Sequence, residues 1–176
     1  MTTDHDPDTA LRSSIRAIDA SRGAVRMEDV YDTDVDDLWS ALTEPDRLAR
    51  WLATVDGDLR AGGTIRARFT SSWDGPGRID VCEPPARLLV TMEPGAPDET
   101  VIEAVLTPMG ERTRLVIEER GLPLDAVAAH GAGWQAHVEN LAQHLGGVEL
   151  AEWKPRWTQL TPEYEERARD LPAPEA

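Results

Sequence analysis

Apolar and polar positions alternate along SIRAID and again along AVRMEDVYD, where Val25, Met27 and Asp29 interleave with Arg26, Glu28 and Val30. The residues Ala20-Ser21-Arg22-Gly23 separate the two runs. A period of two on either side of a turn predicts a β-hairpin over residues 13–32, with the alternation weakening near Asp29. The period then changes. Val35, Leu38, Trp39 and Leu42 recur at i, i+3, i+4 and i+7, which places them on one face of a short helix that Thr33 or Asp34 can cap. A second short helix opens at Thr43-Glu44-Pro45, because proline lacks an N–H that the first turn leaves unbonded anyway. Leu48, Trp51 and Leu52 form its buried face, and Asp46 adds favourable charge at its N-terminus.

Strand-like runs follow at DGDLR (56–60), TIRARFTS (64–71), GRIDVCE (77–83), RLLVTME (87–93), TVIEAVLT (100–107) and TRLVIEE (113–119), every break marked by Gly, Pro or both. Neighbouring strands joined by short turns imply an antiparallel sheet. Ile65, Ala67 and Phe69 alternate with Arg66, Arg68 and Thr70, so one sheet face is dry and the other wet. The cover for the dry face is the segment Asp125 to Gly146, a helix ~30 Å long at the usual rise. Val127, Val138, Leu141 and Leu145 fall within roughly 40° of Trp134 around it, one apolar stripe. Gly131 and Gly133 on this helix suit a close approach of sheet or ligand. Gly146-Gly147 stops it, and Trp153, Trp157, Leu160 and Tyr164 then supply a C-terminal clamp, with a short helix predicted from about Thr161 to Asp170.

Composition narrows what such a domain can do. A chain of 176 residues with 40% hydrophobic content fits one domain with a real core. Met1 to Ala10 is acidic and turn-rich with nothing to bury, which predicts a disordered tail over residues 1–12, a domain over 13–147 and a packed extension over 148–176. No apolar run reaches a membrane-spanning length and no charged-then-apolar leader opens the chain, so a cytoplasmic protein is expected. A formal charge of −15 repels phosphate backbones and anionic lipid heads, which speaks against nucleic-acid and membrane partners. Lys154 is the one lysine; high genomic GC content and a salt-adapted source both account for that bias. Cys82 stands alone, which excludes an intrachain disulfide and a thiolate zinc cluster and leaves a small strand hydrophobe.

His130, His137 and His144 stand seven apart on the long helix. That is ~10.5 Å of rise, too far for two of them to share a metal, so they read as residues on the border of core and solvent. His137 is the exception to examine, since it neighbours Trp134 and Leu141. If Leu115 and Ile117 face the core, Glu119 faces it too, and a desolvated carboxylate opposite His137 would have a raised pKa suited to proton transfer. The alternative is a solvated Glu119 at a fraying strand end. Arg66 and Arg68 belong to the wet face. Hydrolase, nucleotide and metal signatures are absent from the sequence, and no cofactor or metal is expected. Among six tryptophans, Trp39, Trp51 and Trp134 sit on core faces, while Trp73 lies in the turn Ser71–Gly75, at a cavity mouth or packed on a neighbouring loop.

The strings LWSALTEPDRLARWL, GDLRAGG, GRIDVCEPPARLLVTM and LTPMGERTRLVIEERG, followed by GAGW with Leu141 seven residues beyond its Trp, resemble in their order the SRPBCC (START-like) superfamily. The nearest branch is the one named after the C-terminal domain of the activator of the heat-shock-protein-90 ATPase. The resemblance implies an α+β helix-grip fold: a curved antiparallel sheet of about six or seven strands around a long C-terminal helix, with two short helices after the first long strand and an apolar cavity between helix and sheet. It implies binding of a small apolar or aromatic molecule, in a cavity lined by Trp51, Phe69, Ile79, Met92, Leu106, Trp134 and His137 with Trp73 at the mouth. Relatives range from carriers to cyclases, so three readings stay open. They are a hydrophobic-ligand-binding module, a cyclase- or hydrolase-like enzyme using His137 and Glu119 as an acid-base pair, and a chaperone partner or homodimeric interaction protein.

Overall fold

The computed structural model describes residues 10–174. Eight strands form one antiparallel sheet in the order β1-β2-β8-β7-β6-β5-β4-β3. The N-terminal hairpin is β1 (Arg12–Ala17) and β2 (Arg22–Tyr31), and the chain then leaves the sheet through α1 (Val35–Thr43) and α2 (Pro45–Trp51). It re-enters at the far edge as β3 (Ala53–Gly57) and returns through β4 (Thr64–Phe69), β5 (Asp74–Glu83), β6 (Arg87–Met92), β7 (Thr100–Met109) and β8 (Arg112–Pro123) to pair with β2. A single 3-10 turn leads into α3 (Val127–Leu145), and α4 (Trp153–Arg169) follows. The acidic tail expected over residues 1–12 falls mostly outside the described residues, and from Arg12 the chain is already in strand.

The two short helices form where the periodicity places them. Asp34 caps α1 by accepting from the Asp37 N–H at 2.8 Å, and Pro45 sits in the first turn of α2. Leu38 and Trp51 are fully buried, and the Trp51 indole N–H donates to the Ala41 carbonyl at 2.9 Å, locking α2 onto α1. The strand expected at residues 56–60 lies three residues earlier, because α2 ends at Trp51 and Ala53 already pairs with Phe69. The sheet has eight strands where about six or seven were expected, since β1 and β3 both pair fully at the two edges. The dry-face alternation holds: Ile65 and Ala67 are buried between exposed Arg66 and Arg68.

Helix α3 leans on one half of the sheet, touching β1 and β2, while α1 and α2 support its far end. Its outer side is covered by α4, which begins eight residues earlier than the sequence suggests and carries Pro162 inside it. Proline favours a helix's first turn, so Thr161-Pro162 reads locally as a start; tertiary contacts override that preference. Trp153 and Trp157 stack at a 5.7 Å centroid distance and donate their indole N–H groups to the Gly133 and Ala129 carbonyls of α3. The Tyr164 hydroxyl donates to Gln135 at 2.7 Å, and Arg156 grips Glu139 with two hydrogen bonds.

The glycines of α3 accommodate this clamp. A Cβ on Gly131 would stand 2.4 Å from the Tyr164 ring and 3.1 Å from Ile15, and one on Gly133 would stand 3.2 Å from Trp153. The close approach is therefore mainly by α4, with β1 also at Gly131. Gly131→Ala is expected to destabilise the protein by roughly 1–3 kcal/mol through overpacking, at about 2–4 °C of melting temperature per kcal/mol. Thermal unfolding followed by circular dichroism measures it, and an unchanged midpoint would mean that α4 is not seated on Gly131.

Candidate functional site: a two-lobed cavity between helix and sheet

Because α3 rests on the β1–β2 side, the dry face of β4–β7 is left facing a hollow. The outer lobe of this hollow has a volume of about 390 Å³ and the inner lobe about 170 Å³. Phe69, Met92, Ile102 and Trp134 line both, so these four side chains form the partition between them. The inner lobe lies under α1 and α2 and is walled by apolar side chains such as Leu48, Trp51, Ile65 and Ile79. One face of α3 lines the outer lobe: Ala129, His130, Gly133, Trp134 and His137 recur at helical spacing.

The outer lobe holds the polar groups. Strand β8 alternates Leu115, Ile117 and Glu119 inward, which leaves Glu119 only 6% exposed. Its carboxylate accepts from the Thr100 hydroxyl at 2.9 Å and from the Trp134 indole N–H at 2.7 Å, and it meets His130 Nδ1 at 3.2 Å. Burial pushes the Glu119 carboxyl up, but the His130 contact and the other donors outweigh it and hold the group below the usual carboxylate range. The raised pKa anticipated from the sequence is thus replaced by a lowered one, because that reading counted the desolvation and not the donors.

His137 has different partners. It is 4% exposed, its Nδ1 lies 3.4 Å from the Thr70 hydroxyl, and its ring sits among Phe69, Trp134 and Trp153 at centroid distances of 6.1, 5.8 and 5.4 Å. Desolvation drives its pKa down to about 4, against a hydrogen bond to the Trp51 backbone and the charge of Glu119. At neutral pH it is an uncharged ring in an aromatic chain that runs from Trp73 through Phe69 and His137 to Trp153 and Trp157. The other two helix histidines lie nearer solvent, His144 meeting Arg47 at 3.2 Å and His130 with 42% of its side chain exposed.

Of the residues singled out in the sequence, Phe69, Trp73, Met92, Trp134, His137 and Glu119 line the outer lobe, while Trp51 and Ile79 line the inner one. Trp73 stands at the mouth, 36% exposed and edge-on to Phe69 at 5.5 Å. Leu106 lines neither lobe. It faces inward as its alternation requires, but lies farther along β7, in the solid core. Thr100 and Ile102 precede it on the same face and were overlooked: a period of two identifies the face, not how far along the strand the hollow extends.

This architecture, a long helix held in an antiparallel sheet over a cavity, is that of the helix-grip proteins. The chain belongs to the family described as activator of Hsp90 ATPase homolog 1-like proteins, whose profile matches residues 32–146. The crystal structure of CalU16 from Micromonospora echinospora has the same fold, with a TM-score of 0.75 at 24% identity over 92% of this chain and 100% of that one. A Bordetella parapertussis protein matches with a TM-score of 0.70 at 25% identity over 87% and 89% of the two chains. DynU16, a protein of the dynemicin biosynthetic locus, matches with a TM-score of 0.64 at 29% identity, over 70% of this chain and 47% of that chain. No curated protein matches the sequence. Among the described residues no helix is long and apolar enough to cross a membrane.

The buried imidazole sets a pH dependence. Burial holds the folded His137 below the usual imidazole pKa of about 6.5, so its contribution to stability is complete above that value and is lost as pH falls toward about 4. In the unfolded chain the ring takes up a proton that the folded site refuses. Between pH 7 and pH 5 the loss should approach about 2 kcal/mol, and His144, also lowered, acts in the same direction. Urea unfolding at a series of pH values checks this: His137→Gln should flatten most of the slope. An equal slope in parent and variant would place the pH dependence elsewhere.

Proposed function

We propose that the chain is a small-molecule-binding domain that takes an apolar or aromatic compound into the two-lobed cavity. The observation that carries this reading is the pair of adjoining lobes, which share Phe69, Met92, Ile102 and Trp134 in their walls, with the inner lobe almost wholly apolar. Sites of this kind bury most of a small ligand against apolar walls and orient it with a few polar groups. The polar groups here include Glu119, His130, Thr100 and His137. The likeness to DynU16, from a biosynthetic locus, is in keeping with a small organic molecule as the ligand.

A second reading, an enzyme of cyclase or hydrolase type, rests on Glu119 and the two histidines of the outer lobe. The sequence suggested His137 and Glu119 as the acid-base pair. The hydrogen-bonding supports Glu119 with His130 better, since those two are in contact and His130 opens to solvent. Neutral His137 and ionised Glu119 are each held in one protonation state near neutral pH, which suits a wall better than a proton shuttle. The carrier reading is therefore the stronger.

The neutral fluorophore N-phenyl-1-naphthylamine tests it. Saturable binding of one probe per chain is expected, with quenching of tryptophan emission. Ile102→Trp, which thickens the partition, should weaken it by about tenfold or more, the effect of losing roughly 1.4 kcal/mol of contact. Absence of saturable binding to the folded parent would defeat the proposal.

A further inference from the structure

The outer lobe has a one-sided charge. Its walls include the carboxylates of Glu93, Asp98 and Glu119, and neither lysine nor arginine. Of its two histidines, His137 is held neutral and His130 is engaged with Glu119, so the negative charge facing the opening is that of Glu93 and Asp98. The chain as a whole carries −15, which adds to the negative potential at the opening.

The lobe is also aromatic. Trp73, Phe69, Trp134, Trp153 and Trp157 all line this lobe. Beside them, Gly75 of β5 leaves room for two neighbours to fold over the strand: a Cβ there would stand 2.3 Å from Glu93 Oε1 and 2.5 Å from the Trp73 ring. A carboxylate oxygen and an indole thus converge on one spot at the rim. Glu93 reaches it with φ at 51°, a left-handed conformation unusual for a residue with a side chain. Indole faces and carboxylates together attract a cation and repel an anion, and the attraction grows as water is excluded.

Building on the small-molecule-binding reading, we propose that the ligand class is an apolar, aromatic-bodied molecule bearing a protonated amine. The body enters the lobes and the ammonium group rests at the rim between Glu93 and Trp73. Carboxylated compounds of the same shape are selected against.

Three probes with one skeleton separate the two levels of this inference: 1-naphthylmethylamine, 1-naphthalenemethanol and 1-naphthoate, titrated against the full chain at pH 7 by isothermal calorimetry. The amine should bind about tenfold more tightly than the alcohol and more tightly still than the carboxylate, with the preference shrinking at high salt. Glu93→Gln should reduce amine binding about fivefold and leave alcohol binding unchanged; Asp98→Asn, an exposed position, serves as a second variant should Glu93→Gln perturb the fold. If the alcohol binds and the amine binds no better, the charge selection is refuted while the binding domain stands. If neither binds, both fall. A carboxylate that binds as tightly as the amine also overturns the inference.

Discussion

A carboxylate buried against the underside of a helix ties the two layers of this protein together beside the cavity. Glu119 projects from β8 into the interior, where an unpaired ion would cost several kcal/mol. It is tolerated because Trp134 and Thr100 donate to it and His130 meets it from α3. These contacts fix where α3 sits along β8 and how it is rotated. Once Trp134 is turned to give its N–H to Glu119, its ring lies in the partition between the lobes. The hollow is thus shaped by the same bond that attaches the helix.

The opposite side of α3 explains how a helix beside a cavity stays in place. An amphipathic helix that rests on only half a sheet lacks contacts on the other half, and α4 supplies compensating contacts from outside. Trp153 and Trp157 reach over the glycine-rich stretch to the Ala129 and Gly133 carbonyls, and both rings also line the outer lobe. The extension is therefore both a brace and a wall. His137 joins its rings to those of the sheet, between Phe69 of β4 and Trp153 of α4.

Much of the fold was legible because its signals are local. The i, i+3, i+4, i+7 set on α1, the proline opening α2 and the alternation on β4 each determine a face without reference to the rest of the chain. The same alternation offered an inward Glu119 as one of two readings, the other being a solvated strand end, and the carboxylate is buried. What it could not supply was the partner: His130 and His137 are two turns apart on one helix, and which of them meets β8 depends on the rotation of α3. Leu106 was misjudged for a related reason, since inward-facing residues of one strand can meet either cavity or solid core. The start of α4 was hidden because Thr161-Pro162 reads locally as a helix start, a preference that the stacked tryptophans of the preceding turns override.

The central claim is that the hollow under α3 admits a small molecule rather than being a packing defect, and the indole N–H signals of the six tryptophans report on it directly. Trp51 is fully buried beside the inner lobe, and Trp134 is buried in the partition between the two. In a two-dimensional nitrogen-proton spectrum titrated with a neutral aromatic compound, the account predicts that the Trp51 and Trp134 signals shift together and saturate at one equivalent. Shifts confined to the exposed Trp73, or none at all, would contradict it.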